Sequence, residues 1–287
     1  MKRYSAHLRR IAFVSVLLSG FCMPSCSEGP LQDSIPEFHE QERWNAYDII
    51  RFDLTLKSAD HTGLEATFWL DPALSRARME TPSGTTVVFD GAHFYAAGPE
   101  LKRARFHVLT WPYFLAVPYK LRDPGTEREA MQPTAMNGKR YPTMRLSFRS
   151  GVGDTPDDWY IVYQDPDTHR LHGMAYIVTY AKGLQDAESN PHAIRYHDYE
   201  QFEGIPIATR WTFHPWNGAG QRGAPEQRAG ATSDMEVISE KVLMEARLNN
   251  FAFYDHGRPA GRNEAVLPAP PDRIFAAPAN ARRLPEP

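Results

Sequence analysis

Five histidines fall between residues 169 and 214: His169, His172, His192, His197 and His214. A zinc site needs three or four ligands converging from defined spacings. His169 and His172 are three apart, which on a strand sends them to opposite faces. The two cysteines, Cys22 and Cys26, both lie near the start, so no thiolate completes a set. The carboxylates Asp154, Asp157, Asp158, Asp165 and Asp167 flank turns without the alternate spacing and closing glutamate of a calcium loop. They read as solvated turn residues. Ser147 and Ser150 sit outside any Gly-x-Ser-x-Gly elbow. The glycines from Gly218 to Gly230 lack the strand and helix that frame a phosphate-binding loop. No catalytic residue, metal ligand or cofactor follows from these patterns.

The start of the chain carries an address instead. Lys2, Arg3, Arg9 and Arg10 precede an apolar run from Ile11 to Phe21, interrupted by Ser15, Ser19 and Gly20. A basic start, a short apolar middle and a small residue before a cut are the marks of a secretory signal, here residues 1–26. About eleven apolar residues are too few to cross a hydrocarbon core of roughly 30 Å. Cys26 has two readings: an incidental residue beside an ordinary cleavage site, or a lipoprotein cysteine that becomes an acylated N-terminus. Ser25 suits lipidation, and bulky Phe21 makes Cys22 the poorer choice. The expected location is the periplasmic side of a bacterial envelope, with a lipid anchor at Cys26.

Composition bounds the rest. Hydrophobic residues are 42%, charged residues 23% and the net charge is −3, an ordinary globular balance without the basic excess of a nucleic-acid binder. No cysteine follows Cys26, so the exported part relies on core packing rather than disulfides. Residues 27–46 are polar and read as a tether with a short helix from Pro36 to Trp44. Residues 256–287 form a Pro/Ala-rich tail in which Ile274 and Phe275 could anchor.

Between them, residues 47–255 are dominated by alternation. Ile50, Phe52, Leu54 and Leu56 alternate with Arg51, Asp53, Thr55 and Lys57; Leu64, Ala66, Phe68 and Leu70 repeat the pattern. Asp90-Gly91 is a hairpin signal, and Glu203-Gly204 joins two further strand-like runs. Residues 99–123 differ. This stretch has helical character, but Pro112 and Pro118 argue for two short helices with a break. The expectation is a mainly β (α+β) domain: a large curled antiparallel sheet, or half-barrel, of about ten strands capped by short helices.

Three passages give this order a likeness. They are Val87-Val88-Phe89-Asp90-Gly91-Ala92-His93-Phe94-Tyr95; Trp159 to Tyr163 followed by Asp165-Pro166-Asp167-Thr168; and Tyr199 to Arg210 with its Glu203-Gly204-Ile205-Pro206 turn. The pattern resembles the periplasmic lipoprotein localisation factors (the LolA/LolB-like superfamily). Residues 111–125 resemble a segment of a bacterial lipoprotein family of unassigned function. The resemblance implies a concave apolar face able to hold an acyl chain under a helical lid.

On that implication, Trp111, Tyr113, Phe114 and Tyr119 are candidates for the cavity mouth, and Phe52, Leu54, Phe68, Trp159, Tyr176 and Trp211 for the concave wall. Plain core packing is the alternative for each. The leading functional expectation is a non-enzymatic envelope lipoprotein binding a hydrophobic or lipid-like ligand. A structural or interaction module with a self-filled sheet, docking another envelope protein, is the second reading. A hydrolase is the third.

Overall fold

The computed structural model describes residues 31–58, 62–218, 236–261 and 265–285. The signal segment, Cys26 and most of the Gly218–Gly230 stretch lie outside them. Two short helices open the described chain, α1 (Leu31–Phe38) and α2 (Gln41–Asn45). A first meander follows through β1 (Ile49–Ser58), β2 (Thr62–Leu70), β3 (Ala77–Glu80), β4 (Thr86–Phe89) and β5 (Phe94–Ala97). Then comes the long helix α3 (Ala104–Lys120). A second meander runs through β6 (Thr126–Met136), β7 (Lys139–Phe148), β8 (Tyr160–Gln164) and β9 (Leu171–Tyr176). It continues past α4 (Leu184–Ser189) into β10 (His192–Phe202), β11 (Ile205–Pro215) and β12 (Met244–Asp255). β13 (Arg258–Pro259) folds back on β12, and β14 (Arg282–Arg283) adds to β5.

All of these strands form one sheet of 14, ordered β14-β5-β4-β3-β2-β1-β12-β11-β10-β9-β8-β7-β6, with β13 off the path. The two meanders meet at β1 and β12, paired antiparallel from Ile49↔Tyr254 to Ser58↔Met244. β5 and β6 therefore sit near opposite ends of an open sheet, and α3 connects them. Laid flat, the strands from β5 to β6 would span about 53 Å at roughly 4.8 Å each. A helix of 17 residues covers about 25 Å. The sheet closes that distance by curling around the helix. Phe114 lies 5.0 Å from the Tyr176 ring on β9 and 6.3 Å from Phe213 on β11, while Ala77, Met79 and Val87 of β3 and β4 belong to the same core. Register shifts at Arg51/Asp53 in β1 and at Met131/Thr134 between β6 and β7 add local bends.

The expected alternation in β1 and β2 is present: Ile50, Phe52, Leu54 and Leu56 face the concave core together with Leu64, Ala66, Phe68 and Leu70. The convex face is covered in two places. Trp159, Ile161, Tyr163 and Trp216 pack with Ala187 of α4 and Ile238. Ile49, Trp69 and Tyr254 pack with Ile274 and Phe275 of the C-terminal segment.

Three expectations need correction. The sheet has 14 strands among the described residues rather than about ten. The main addition is β6, whose residues from Glu127 to Pro133, all exposed except the half-buried Met131, carry no alternation because it is an end strand with one neighbour. The segment with two prolines is one continuous helix, not two. Pro118 has no N–H for the carbonyl of Phe114, and the Tyr196 hydroxyl on β10 donates to that carbonyl instead, at 3.0 Å. The described part of the polar stretch before β1, residues 31–46, is docked on the domain rather than a tether: Ile35 and Trp44 are fully buried. Trp44 stacks on Tyr119 at 4.1 Å, and Gln41 Nε2 donates to the Tyr119 carbonyl at 2.8 Å, capping the last turn of α3.

Gly98 turns the chain out of β5 toward α3. It has φ +82°, and a Cβ there would lie 2.2 Å from the Gly84 carbonyl oxygen, so only glycine fits.

Candidate functional site

Helix spacing builds one wall of the site. Phe106, Leu109, Thr110 and Tyr113 recur at i, i+3, i+4 and i+7, which places them on one flank of α3. They face a cavity of about 520 Å³ between the helix and the two open ends of the sheet. From one end come Phe89 and Phe94, stacked at 4.5 Å on either side of the Asp90-Gly91 turn. From the other come Phe148, Tyr160 and Tyr176, at the tips of β7, β8 and β9. Tyr160 lies 5.4 Å from Tyr113 and 5.9 Å from Phe148, which joins the helix flank to that end of the sheet.

The mouth is held by polar contacts. Arg105 pairs with Asp154 through both guanidinium Nε and Nη2. Its guanidinium also covers the Phe94 ring at 4.2 Å and donates to the Pro285 carbonyl at 3.3 Å. One side chain thus ties α3, β5, the loop after β7 and the C-terminal segment. Lys120 pairs with Asp123 and donates to the Ala73 carbonyl. The turn aspartates were expected in solvent, and Asp158 departs from that: it is 6% exposed. It accepts from the Thr179 backbone N–H and hydroxyl and from the Thr155 hydroxyl, each at 2.7 Å. Burial raises its pKa, and those three donors oppose the rise.

Tyr113 stands apart. The residue lines the cavity, but its hydroxyl is closed off from that space and has no hydrogen-bond partner among the described residues. Burial, then the charges of Asp123 and Asp158, push its pKa far up, so the phenol keeps its proton. Burial likewise raises Tyr160 and Tyr176.

Of the ten side chains expected at a ligand, Tyr113, Phe114 and Tyr176 line this cavity. The other seven lie elsewhere. Trp111 fills the trough, donating to His107 Nδ1 at 3.1 Å and meeting Phe213 edge-on at 6.1 Å. Tyr119 and Trp211 border a gap of about 10 Å³, room for a single water at most. Phe52 and Phe68 stack at 5.0 Å in the main core, which also buries Leu54. Trp159 lies on the convex face, 5.5 Å from Trp216. Sequence reasoning passed over Phe89, Phe94, Phe106, Leu109, Phe148 and Tyr160, although the i, i+3, i+7 spacing of the helical set was there to read.

The histidines serve the scaffold. His197 and His214 both meet the Thr212 hydroxyl, at 2.8 and 2.7 Å. Among the described residues the converging metal-type group is Asp48, Asp255 and His256, all exposed.

No family model matches the chain, and no curated protein matches it. Solved structures do. A LolA superfamily protein from Nitrosomonas europaea is 7% identical, with 77% of this chain and 94% of that one covered at a TM-score of 0.47. One of the similar structures thus belongs to the superfamily that the sequence resembles. A putative outer membrane lipoprotein-sorting protein domain from Vibrio parahaemolyticus is 8% identical, covering 77% and 93% at a TM-score of 0.42. A DUF1329 family protein from Desulfovibrio piger is 8% identical, covering 80% and 95% at 0.41. At such identities and TM-scores these are likenesses of strand arrangement and carry no residue correspondence.

Proposed function

We propose that this chain is a non-enzymatic binding protein that holds an apolar, lipid-like molecule between α3 and the open ends of its sheet. The observation that carries this reading is the cavity of about 520 Å³ with its aromatic walls. Its size falls within the roughly 300–1,000 Å³ typical of ligand pockets, and such pockets are mainly apolar with a few placed polar groups. Each methylene buried there gains about 0.8 kcal/mol. The rest of the trough is filled by Trp111 and Leu115 of the helix itself, so the ligand space is confined to one end.

Organic extraction of the purified protein, followed by lipid mass spectrometry, tests the reading. A stoichiometric apolar molecule is expected; protein that is empty as isolated and binds no long-chain probe would sink it.

The interaction-module reading is less well supported. The large apolar side chains exposed among the described residues are Phe38, Leu184, Val242 and Val266, on four separate elements. A docking face is a contiguous apolar patch.

No helix among the described residues is long and apolar enough to cross a membrane. We propose that the protein resides on the periplasmic side of the envelope and is held to a membrane by acylation of Cys26. Multiple acyl chains bind far more firmly than one. Replacing Cys26 with Ser should release the protein from the membrane fraction; unchanged partitioning would remove the anchor.

A further inference from the structure

The cavity has a length as well as a volume. Phe106, Tyr113 and Lys120 stand seven residues apart on one flank of α3, and all three line the space. At 1.5 Å per residue it follows the helix for about 21 Å. Each end carries an ion pair: Arg105 with Asp154 at the first turn of α3, Lys120 with Asp123 at the last. The cavity is thus a slot with an apolar flank between two charged ends.

The slot does not widen into the trough behind it. Phe114 forms its back wall, 6.0 Å from Trp111, 5.0 Å from Tyr176 and 6.3 Å from Phe213, ring to ring. Trp111 and Leu115 fill what lies beyond. Further along the helix, the gap beside Tyr119 and Trp211 is only about 10 Å³.

An apolar cavity of about 150 Å³ takes one benzene, or about 25 Å³ for each carbon. At that allowance the slot's volume of about 520 Å³ holds about twenty carbons. A bilayer core is roughly 30 Å thick, so one acyl chain reaches about 15 Å, which fits within the slot's length.

We propose that the slot takes one acyl or alkyl chain of about 16–20 carbons, so that the ligand is a single-chain amphiphile and not a diacyl or triacyl lipid. The proposal rests on the apolar-ligand reading above and adds the number and length of the chains. The head occupies one charged end of the slot, and the tail stops short of the other. Each methylene taken out of water changes affinity about fourfold. One chain in the slot is shielded much as it is in a membrane. The second chain of a diacyl lipid finds no comparable space among the described residues and would be left in water, so the membrane keeps that lipid. A single chain longer than the slot must push its end past an ion pair and gains nothing from the extra carbons.

Two measurements on the full chain test this. The first is equilibrium binding of 1-acyl-lysophosphatidylcholines of about 10 to 24 carbons, each below its micelle concentration. Affinity should climb about fourfold per methylene up to about 18–20 carbons and then level off. Leu109→Trp, which narrows the slot, should bring the plateau in at shorter chains. The second measurement offers a choice. The protein is incubated with dioleoylphosphatidylcholine vesicles in which about one lipid in ten is 1-oleoyl-lysophosphatidylcholine, then reisolated, and its lipid is quantified by mass spectrometry. One lysolipid per chain is expected, with diacyl lipid at less than about a tenth of that amount. Affinity that keeps climbing past about 22 carbons, or diacyl lipid recovered in proportion to its share of the vesicle, overturns the single-chain inference while leaving an apolar site. A Leu109→Trp protein with the parent's plateau overturns it equally. A series in which no chain binds removes the apolar-ligand reading along with it.

Discussion

The Tyr196 hydroxyl donates to the backbone carbonyl of Phe114 at 3.0 Å, across 82 residues of sequence. That carbonyl is the one that Pro118 leaves without its helical donor. A strand of the second meander thereby completes a hydrogen bond that α3 cannot make for itself, and the helix continues to Lys120.

Tyr196→Phe is expected to destabilise the fold by about 1–3 kcal/mol, the cost of an unsatisfied buried carbonyl. Pro118→Ala restores a helical N–H, so the loss from Tyr196→Phe should shrink in that background. Urea denaturation of the four proteins in this double-mutant cycle reads the coupling. Additive losses would show that the two groups act independently.

Arg105 fastens the cavity mouth by joining Phe94, Asp154 and Pro285. Arg105→Ala should cost about 1–3 kcal/mol of global stability, because it removes charged hydrogen bonds between side chains only 12% and 21% exposed. Its local effect should be larger. Amide exchange is expected to quicken in residues 150–155 and 281–285, with faster release of a bound apolar probe. Unaltered exchange in both segments would mean that the mouth is held by other contacts.

Leu109 points into the open space from the middle of α3. Leu109→Trp should fill part of the cavity, lowering the affinity for long-chain probes at least tenfold while leaving the melting temperature equal or higher. Loss of binding together with loss of folding would point to overpacking instead. Calorimetry and probe titration on the same sample separate the two.

Acid should weaken the fold from an unusually high pH. His39, between α1 and α2, accepts the Leu171 N–H at Nε2 (3.0 Å) and lies edge-on to Tyr119 and Tyr199. Burial, and after it the charge of Arg170, lowers its pKa to about 3. His107, His172 and His197 are lowered to about 4, chiefly by burial. Below about 6.5 the unfolded chain binds protons that the folded chain refuses, so this stabilisation is complete above that pH and is lost as the pH falls toward 3. Thermal melts should therefore decline between pH 7 and pH 5, before the carboxylates titrate. His39→Gln keeps an acceptor for Leu171 and does not titrate; it should flatten the slope. A slope identical to the parent's would assign the effect to the other histidines.

The fold was legible where local pattern and tertiary role coincide. β1 and β2 alternate because one face meets the core, and Asp90-Gly91 and Glu203-Gly204 mark turns between strands that do pair. β6 was silent because an end strand has one neighbour and a largely wet surface, and Pro133 lies where its register with β7 shifts. The continuity of α3 was hidden for another reason. Its remedy, Tyr196, lies on a strand that no local window contains. The cavity divides in the same way. Tyr113, Phe114 and Tyr176 stand out as aromatics in the right segments. Phe89, Phe94, Phe148 and Tyr160 reach the site only because the curl brings the two sheet ends together. Weighting ring content over helical spacing favoured Trp111 and Tyr119, which face the filled part of the trough, above Phe106 and Leu109, which face the open part.

The seam between β1 and β12 sets the order in which this molecule can be made. Ile49 must find Tyr254, so the first strand synthesised waits for almost the last. Until then β1 presents a bare edge to its surroundings, a template for mispairing. Such distant pairings also slow folding through the entropy of closing a long loop. Maturation should be late and all at once, and a nascent chain that stops short of residue 244 should remain a client of chaperones rather than a half-finished sheet.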